Sequence, residues 1–189
     1  MRKALSVLIT ITILFAFFTP VFAADKTVLD KAVSDTAAYI LSTVKNPEVG
    51  SIGGEWAVIG LARSDYAVPS SYYEKYYQAV ERYVKEHQGI LHEVKYTEYS
   101  RVILGLTSAG YDPHNITEYD LTNPLSDFNK TIWQGINGPI FALLVSIALI
   151  TRFLRIKVQK HKQHGNFINE GFFVHVIFKE NFFIGYRIA

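Results

Sequence analysis

A short apolar segment that recurs along the chain places the strongest constraint on its fold. Ala57-Val58-Ile59-Gly60-Leu61 returns as Val102-Ile103-Leu104-Gly105-Leu106, so Gly60 and Gly105 stand 45 positions apart in the sequence. Pro139-Ile140-Phe141-Ala142-Leu143 is a looser third copy. A period of this length is typical of two-helix repeats, in which each pair buries its apolar face against its neighbours. Gly60 and Gly105 lower the helix propensity of their segments. We therefore expect that they serve to let adjacent inner helices pack closely.

The spacing of apolar residues before and between the copies predicts further helices. The first predicted helix ends at Asn46-Pro47 and Gly50, and its apolar face is formed by Val28, Leu29, Ala32, Val33, Ala37, Ile40 and Leu41. Another helix begins at Pro69-Ser70-Ser71 and ends at Gly89, a position that favours left-handed backbone. Its predicted inward face consists of Tyr73, Tyr76, Tyr77, Val80, Tyr83 and Val84. The sequence therefore predicts an all-α chain.

The N-terminus has the three zones of a secretory signal peptide. Arg2 and Lys3 precede an uncharged, mostly apolar run from Leu5 to Phe18, and Pro20 then interrupts it. Val21-Phe22-Ala23 is close to the small-x-small pattern that precedes a cleavage site. We predict that residues 1–23 are removed on export and that the product is secreted or held at the cell surface. The chain has no cysteine, so no disulfide can stabilise that product.

Three segments resemble secreted Gram-positive bacterial proteins with a prenyltransferase and squalene-cyclase-like α/α toroid. They are Gly53–Arg63, Thr97–Thr107 with Gly110-Tyr111-Asp112-Pro113 after it, and Gln134–Leu143. The resemblance covers about Asp25 to Leu144. It implies inner and outer rings of helices around a central cavity, so that residues 25–144 form an incomplete α/α toroid of helical hairpins. The ligand and any cofactor stay unknown. Some relatives of this architecture carry a cobalamin-binding domain elsewhere in the chain, so corrinoid capture is a weak extension of the resemblance.

The C-terminal part, residues 145–189, departs from this pattern, and its last stretch has neither a helical stripe nor turn residues. We interpret residues 145–189 as an aberrant, poorly defined tail read from a shifted frame. In the shifted frame, each codon consists of the third base of one residue's codon and the first two bases of the next. Read in this way, the possible codons of Lys157–Ile168 permit Ser-Ala-Lys-Thr-Gln-Ala-Thr-Arg-Glu-Leu-Tyr, which resembles the family's next outer helix. Residues beyond about Asn169 do not fit that frame.

Two alternatives for this region stay open. The tail is a genuine, unusual segment, or residues 138–154 form a membrane anchor. In the second case Arg152, Arg155 and Lys157 supply the positive charge that marks the inner side of a membrane. The uncharged run from Gly138 to Thr151 is shorter than the ~20 residues that span a bilayer, which favours the shifted frame.

Glu55, Trp56, Glu98, Tyr99 and Arg101 are the candidate ligand-binding residues. They lie at the starts of the two candidate inner helices, where side chains would face the mouth of a toroid cavity. Carboxylates, a cation and aromatic faces can bind a polar small molecule or a cell-surface component. In the alternative interpretation, Glu55 and Glu98 only complement the positive N-terminal ends of their helices.

No residue is predicted to be catalytic or to bind a metal. The family's terpene cyclases use an aspartate-rich run, which this chain lacks, and its prenyltransferases use a zinc site that includes cysteine. His161 and His164 have a metal-like spacing, but Lys160 and Lys162 beside them repel a cation. A formal charge of +2 predicts no nucleic-acid partner. The first hypothesis is therefore a non-enzymatic, truncated extracellular binding module, and the absence of its later repeats predicts poor stability and a loss of function for the chain as translated. The alternative is a lyase or transferase that uses the toroid cavity.

Overall fold

The computed structural model describes residues 25–51 and 53–163, and these ranges contain six α-helices and no strand. The helices are α1 (Lys26–Thr43), α2 (Glu55–Arg63), α3 (Ser70–Glu86), α4 (Thr97–Ala109), α5 (Phe128–Thr131) and α6 (Asn137–Gln163). The all-α prediction is confirmed for this part of the chain. The signal peptide predicted at residues 1–23, the end of the tail at 164–189 and His164 lie outside the described residues.

Local sequence chemistry sets the ends of several helices. Asp25 caps α1, because its carboxylate accepts a hydrogen bond from the Thr27 amide at 2.9 Å. Helix α3 begins directly after Pro69, as predicted. Gly89 follows α3 with a φ of +83°, and Gly110 follows α4 with a φ of +93°. The prediction that a glycine with left-handed backbone ends the third helix is confirmed.

The repeated segments lie in neighbouring helices. Helix α4 packs against both α2 and α6, while α1 packs on α2 and α3 packs on α4. The core between these helices is apolar and fully or almost fully buried. It includes Val58, Leu61, Tyr76, Val80, Val84, Val102, Ile103 and Leu106. The first residues of α2 and α6 meet where Trp56 contacts the edge of Phe141, with ring centroids 6.1 Å apart. The three helices that carry the repeat therefore form one connected group centred on α4.

The predicted inward faces of α1 and α3 are only partly correct. On α1, Val28, Leu29 and Val33 are exposed, and only Ala37, in the second half of the helix, is buried. On α3, the buried face consists of Tyr72, Tyr76, Val80 and Val84, whereas Tyr73, Tyr77 and Tyr83 pack at its edge. The buried face of α3 is rotated about the helix axis relative to the predicted face, because the residues that face α4 are spaced four apart, from Tyr72 to Val84. The α1 residues that reach the core, Ala37, Ile40 and Leu41, lie in its second half, so the first half of the predicted face stays uncovered.

The prediction for the two repeated glycines is wrong for Gly60 and needs a correction for Gly105. A Cβ atom at Gly60 would meet nothing within 4 Å. A Cβ atom at Gly105 would lie 2.8 Å from the Tyr76 hydroxyl oxygen. Gly105 therefore makes room for a tyrosine of α3, and the atoms nearest to its Cβ position belong to that tyrosine and not to α2 or α6.

Helix α6 runs without a break past residue 144, where the sequence pattern changes. Ala142 and Val145 are buried against the core, and the side chain of Arg152 donates hydrogen bonds to the carbonyl oxygens of Gly110 and Tyr111. The opposite side of this segment carries an exposed apolar stripe, formed by Ile136, Ile140, Leu143, Leu144 and Ile147. The first part of α6 is consequently apolar on both sides.

Candidate functional site

The predicted ligand-binding residues lie at the N-terminal ends of α2 and α4, and the structure brings three of them together. Glu55 is the first residue of α2, while Glu98 and Arg101 lie in the first turns of α4. The charges of both α4 residues act on Glu55. Arg101 and Glu98 form an ion pair with each other, and both side chains are about one-fifth exposed. These three residues form a polar cluster between the two helices.

Glu55 is the most unusual member of this cluster, because its side chain has no exposure to solvent. One carboxyl oxygen, Oε1, accepts a hydrogen bond from the Gly50 amide at 2.8 Å, and the other, Oε2, has no hydrogen-bond partner. Burial raises the pKa of this carboxyl, and the Gly50 hydrogen bond and the charge of Arg101 reduce the shift without reversing it. The position at the start of α2 also fits the helix-end interpretation.

Tyr76 belongs to the same cluster, and the sequence analysis had assigned it to the core alone. Its hydroxyl is buried next to Gly105, and no acceptor or donor among the described residues lies within hydrogen-bonding geometry of it. Burial, and then the Glu55 carboxylate, raise the pKa of Tyr76 well above its usual range. The sequence offers one signal for the position of Tyr76, a tyrosine on one helix and a glycine on the next that makes room for it. This signal can be used only once it is known which helices are in contact.

The other two predicted residues have different surroundings. The Tyr99 hydroxyl accepts a hydrogen bond from the Leu91 amide at 3.1 Å, and its ring packs at 5.4 Å from Tyr96. Tyr99 therefore anchors the loop that leads into α4. Trp56 is half-exposed and rests on Phe141 of α6. Neither side chain completes a site around Glu55.

A concave region lies at the opposite ends of the same helices, away from the polar cluster, and no sequence pattern indicated it. It is a cavity of about 250 Å³ between the C-terminal ends of α2 and α4 and the middle of α6. Arg63, Arg152 and Arg155 line it together with Thr107. We refer to this region as the arginine cavity. The sequence had placed Arg63 in a repeat segment and the other two arginines beside a membrane anchor, and nothing in the spacing indicated that they meet.

Another concave region is the groove between α1 and α2. It measures about 270 Å³ and is lined mainly by small and apolar side chains, among them Ala32, Val33, Ala37 and Ile40. Gly60 lies at its floor, which explains the open space above that residue. The groove has no charged residue in its lining.

Two further properties concern metals and membranes. No group of three or more His, Asp or Glu side chains within the described residues could hold a metal ion. One described segment, Asn137–Lys157, is long and apolar enough to cross a bilayer by length and composition, with 21 residues and a mean hydropathy of 1.9. This span is longer than the uncharged run counted in the sequence, because the helix stays apolar on average past Arg152.

Comparison with known proteins gives no relative. No protein-family model, no curated protein and no solved structure matches the chain. The resemblance to toroid proteins therefore stays a prediction.

The buried carboxyl leads to a prediction about pH. Because the pKa of Glu55 is raised in the folded state, the folded chain holds a proton that the unfolded chain releases near pH 4.5. Its stabilising contribution is complete below that pH and is lost as the pH rises through the folded pKa. We expect Glu55→Gln, which keeps an acceptor for the Gly50 amide, to be more stable relative to the wild type at neutral pH than at pH ~4.

Urea unfolding of both proteins across this range measures the difference. Glu93→Gln, in an exposed loop, is the matched control and should show no such trend. A difference between wild type and Glu55→Gln that stays constant with pH would contradict the prediction.

Proposed function

We propose that the chain is an exported binding module of the extracellular space or cell surface, built from helical hairpins of the α/α-toroid type, with part of the ring absent. The observation that carries this proposal is the order of contacts. The three repeated segments lie on α2, α4 and α6; α4 touches the other two, and α1 and α3 each pack on the inner helix that follows. Sequential packing of helix pairs is the arrangement that a repeat of about 45 residues requires.

The uncovered faces at both ends of this array support its incompleteness. Val28 and Leu29 at the start of α1 are 64% and 54% exposed, and Leu143 on α6 is 61% exposed. In a repeat fold the neighbouring unit covers such faces. The binding role draws support from the two concave regions along the helices, the arginine cavity and the groove between α1 and α2.

Export is tested by expressing the whole chain in a bacterial secretion host. We expect a product in the medium or at the cell surface that begins at Ala24 or Asp25, since cleavage follows the small-residue pattern. Leu14→Arg places a charge in the apolar run and should keep the chain inside the cell. A full-length product in the cytoplasm of cells that carry the unchanged sequence would contradict the proposal.

A second candidate is a single-pass membrane protein anchored by residues 138–154. The apolar segment Asn137–Lys157 favours it, because only 11% of an apolar 18-residue window within it is buried. Leu143→Arg with Ile147→Arg places two charges on the exposed stripe and leaves the buried side of α6 unchanged. If the segment spans a membrane, this variant moves from the membrane pellet to the soluble fraction after alkaline extraction. If the unchanged chain is already soluble, the anchor is excluded.

We propose also that residues 145–189 come from a shifted reading frame. The test is the nucleotide sequence around codon 144 and beyond the stop codon, where the shifted frame should encode further helical hairpins. A downstream sequence that encodes no such hairpins in any frame would contradict the shift.

A further inference from the structure

We propose that the arginine cavity binds a small organic anion, with a carboxylate or phosphate head and a short apolar part. This proposal rests on the proposed binding function, since it names a ligand class for the module. It concerns the chain as translated, in which residues 145–163 belong to α6 and supply Arg152 and Arg155. The cavity lies away from Glu55, at the other ends of α2 and α4, so it was not among the predicted sites.

The charges around the cavity are unbalanced. Arg63 and Arg155 have neither an ion-pair nor a hydrogen-bond partner among the described residues. Arg152 is partly neutralised, because it lies 3.7 Å from a carboxyl oxygen of Asp112 and bonds to two backbone carbonyls. None of the residues that line the cavity is acidic. Two free guanidinium groups beside one cavity favour an anion, and their planar donor pairs match carboxylate and phosphate oxygens.

Thr107 is a second and independent sign of a ligand. It is 8% exposed, and its Oγ1 atom is buried without a hydrogen-bond partner. Helical threonines elsewhere in this chain, Thr36 and Thr131, donate this hydroxyl to the carbonyl four residues earlier, at 2.7 and 2.8 Å. A buried hydroxyl without a partner destabilises the fold, and an anionic oxygen in the cavity would provide an acceptor.

Size and lining limit the ligand. A cavity of about 250 Å³ is smaller than most sites for drug-sized molecules, so it accommodates a few heavy atoms. Ala62, Ala148 and Ile156 form apolar parts of its wall. A short carbon chain that carries one charged head fits both the polar and the apolar part.

The test is calorimetric titration of the exported full product with four probes. These are inorganic phosphate, glycerol 3-phosphate, butyrate and its uncharged analogue butyramide. We expect glycerol 3-phosphate or butyrate to bind with a Kd of at most about 10 mM. Butyramide should not bind, because it lacks the charge that the arginines recognise. Binding of inorganic phosphate alone would show that the head group suffices without the apolar part, and would overturn the organic-ligand part of the proposal.

Variants then locate the site. Arg63→Gln with Arg155→Gln should weaken binding about tenfold or more, whereas Arg82→Gln with Lys85→Gln, two exposed charges on α3, should not change it. Thr107→Val should weaken binding while the melting temperature stays equal or rises, since it removes an unpartnered hydroxyl. Circular dichroism verifies that each variant is folded.

Three results would overturn the proposal: no probe binds, the charged and uncharged probes bind equally, or the double arginine variant binds as well as the unchanged protein. An exported, folded product that binds none of the probes leaves the proposed export intact. A product that binds but is retained in the cytoplasm leaves the cavity assignment intact.

Discussion

Replacing Tyr76 with alanine is expected to lower the free energy of unfolding by about 3–5 kcal/mol. Tyr76 is the largest side chain in the described core without solvent exposure, and it lies where α3 packs on α4. Removal of the ring leaves a cavity that neighbouring side chains can fill only in part. Because whole domains are stable by about 5–15 kcal/mol, the loss is a large share of the total. Urea unfolding followed by circular dichroism measures it.

Two controls make this result specific. Tyr39→Ala removes the same atoms from α1, where the side chain is 69% exposed, and should change stability by no more than about 0.5 kcal/mol. Tyr76→Phe keeps the ring and removes a hydroxyl without a complete hydrogen bond, so it should cost less than about 1 kcal/mol. Equal losses for Tyr76→Ala and Tyr39→Ala would contradict the packing of α3 on α4.

The two repeated glycines are expected to respond to alanine with opposite signs. Gly105→Ala should destabilise the chain by about 1–3 kcal/mol, because the new Cβ atom would lie 2.8 Å from the Tyr76 hydroxyl and 3.2 Å from its ring carbons. Tyr76 is fully buried, so its ring cannot turn into solvent to relieve this contact. Gly60→Ala should raise stability by about 0.5–1 kcal/mol, since it meets open space and improves helix propensity.

The cause can be isolated in a double-mutant cycle. Tyr76→Phe removes the atom nearest to the new Cβ, so Gly105→Ala should cost less in the Tyr76→Phe background than in the wild type. The relief should be partial, because the ring carbons stay close. If the two changes are additive, or if Gly60→Ala destabilises as much as Gly105→Ala, the assigned contact is wrong.

The likeness between Gly60 and Gly105 shows where sequence comparison stops. Both glycines hold the same place in matching segments, which led to the same expectation for each. The structure separates them, because α3 covers Gly105 with Tyr76 whereas the groove between α1 and α2 leaves Gly60 open. A sequence repeat identifies equivalent positions in two helices, but it does not identify the residues that pack against each position.

The structure likewise brings together only some of the candidate ligand-binding residues. The sequence placed Glu55, Glu98 and Arg101 at helix starts, and the structure brings those three together. Trp56 and Tyr99 stand beside them in the sequence, yet they turn to Phe141 and Leu91. Neighbours along a helix point in different directions about its axis, so sequence adjacency does not imply a shared site.

The sequence by itself determined the all-α class, the start of α3, the glycine that follows it and the helices that carry the repeat. These properties depend on backbone propensity and on apolar spacing within a few residues, which are local. Only the tertiary structure decided which apolar faces are covered and that Arg63, Thr107 and Arg155 share one cavity. Arg63 and Arg155 are far apart along the chain, and their proximity arises from the packing of α2, α4 and α6, which no local pattern records.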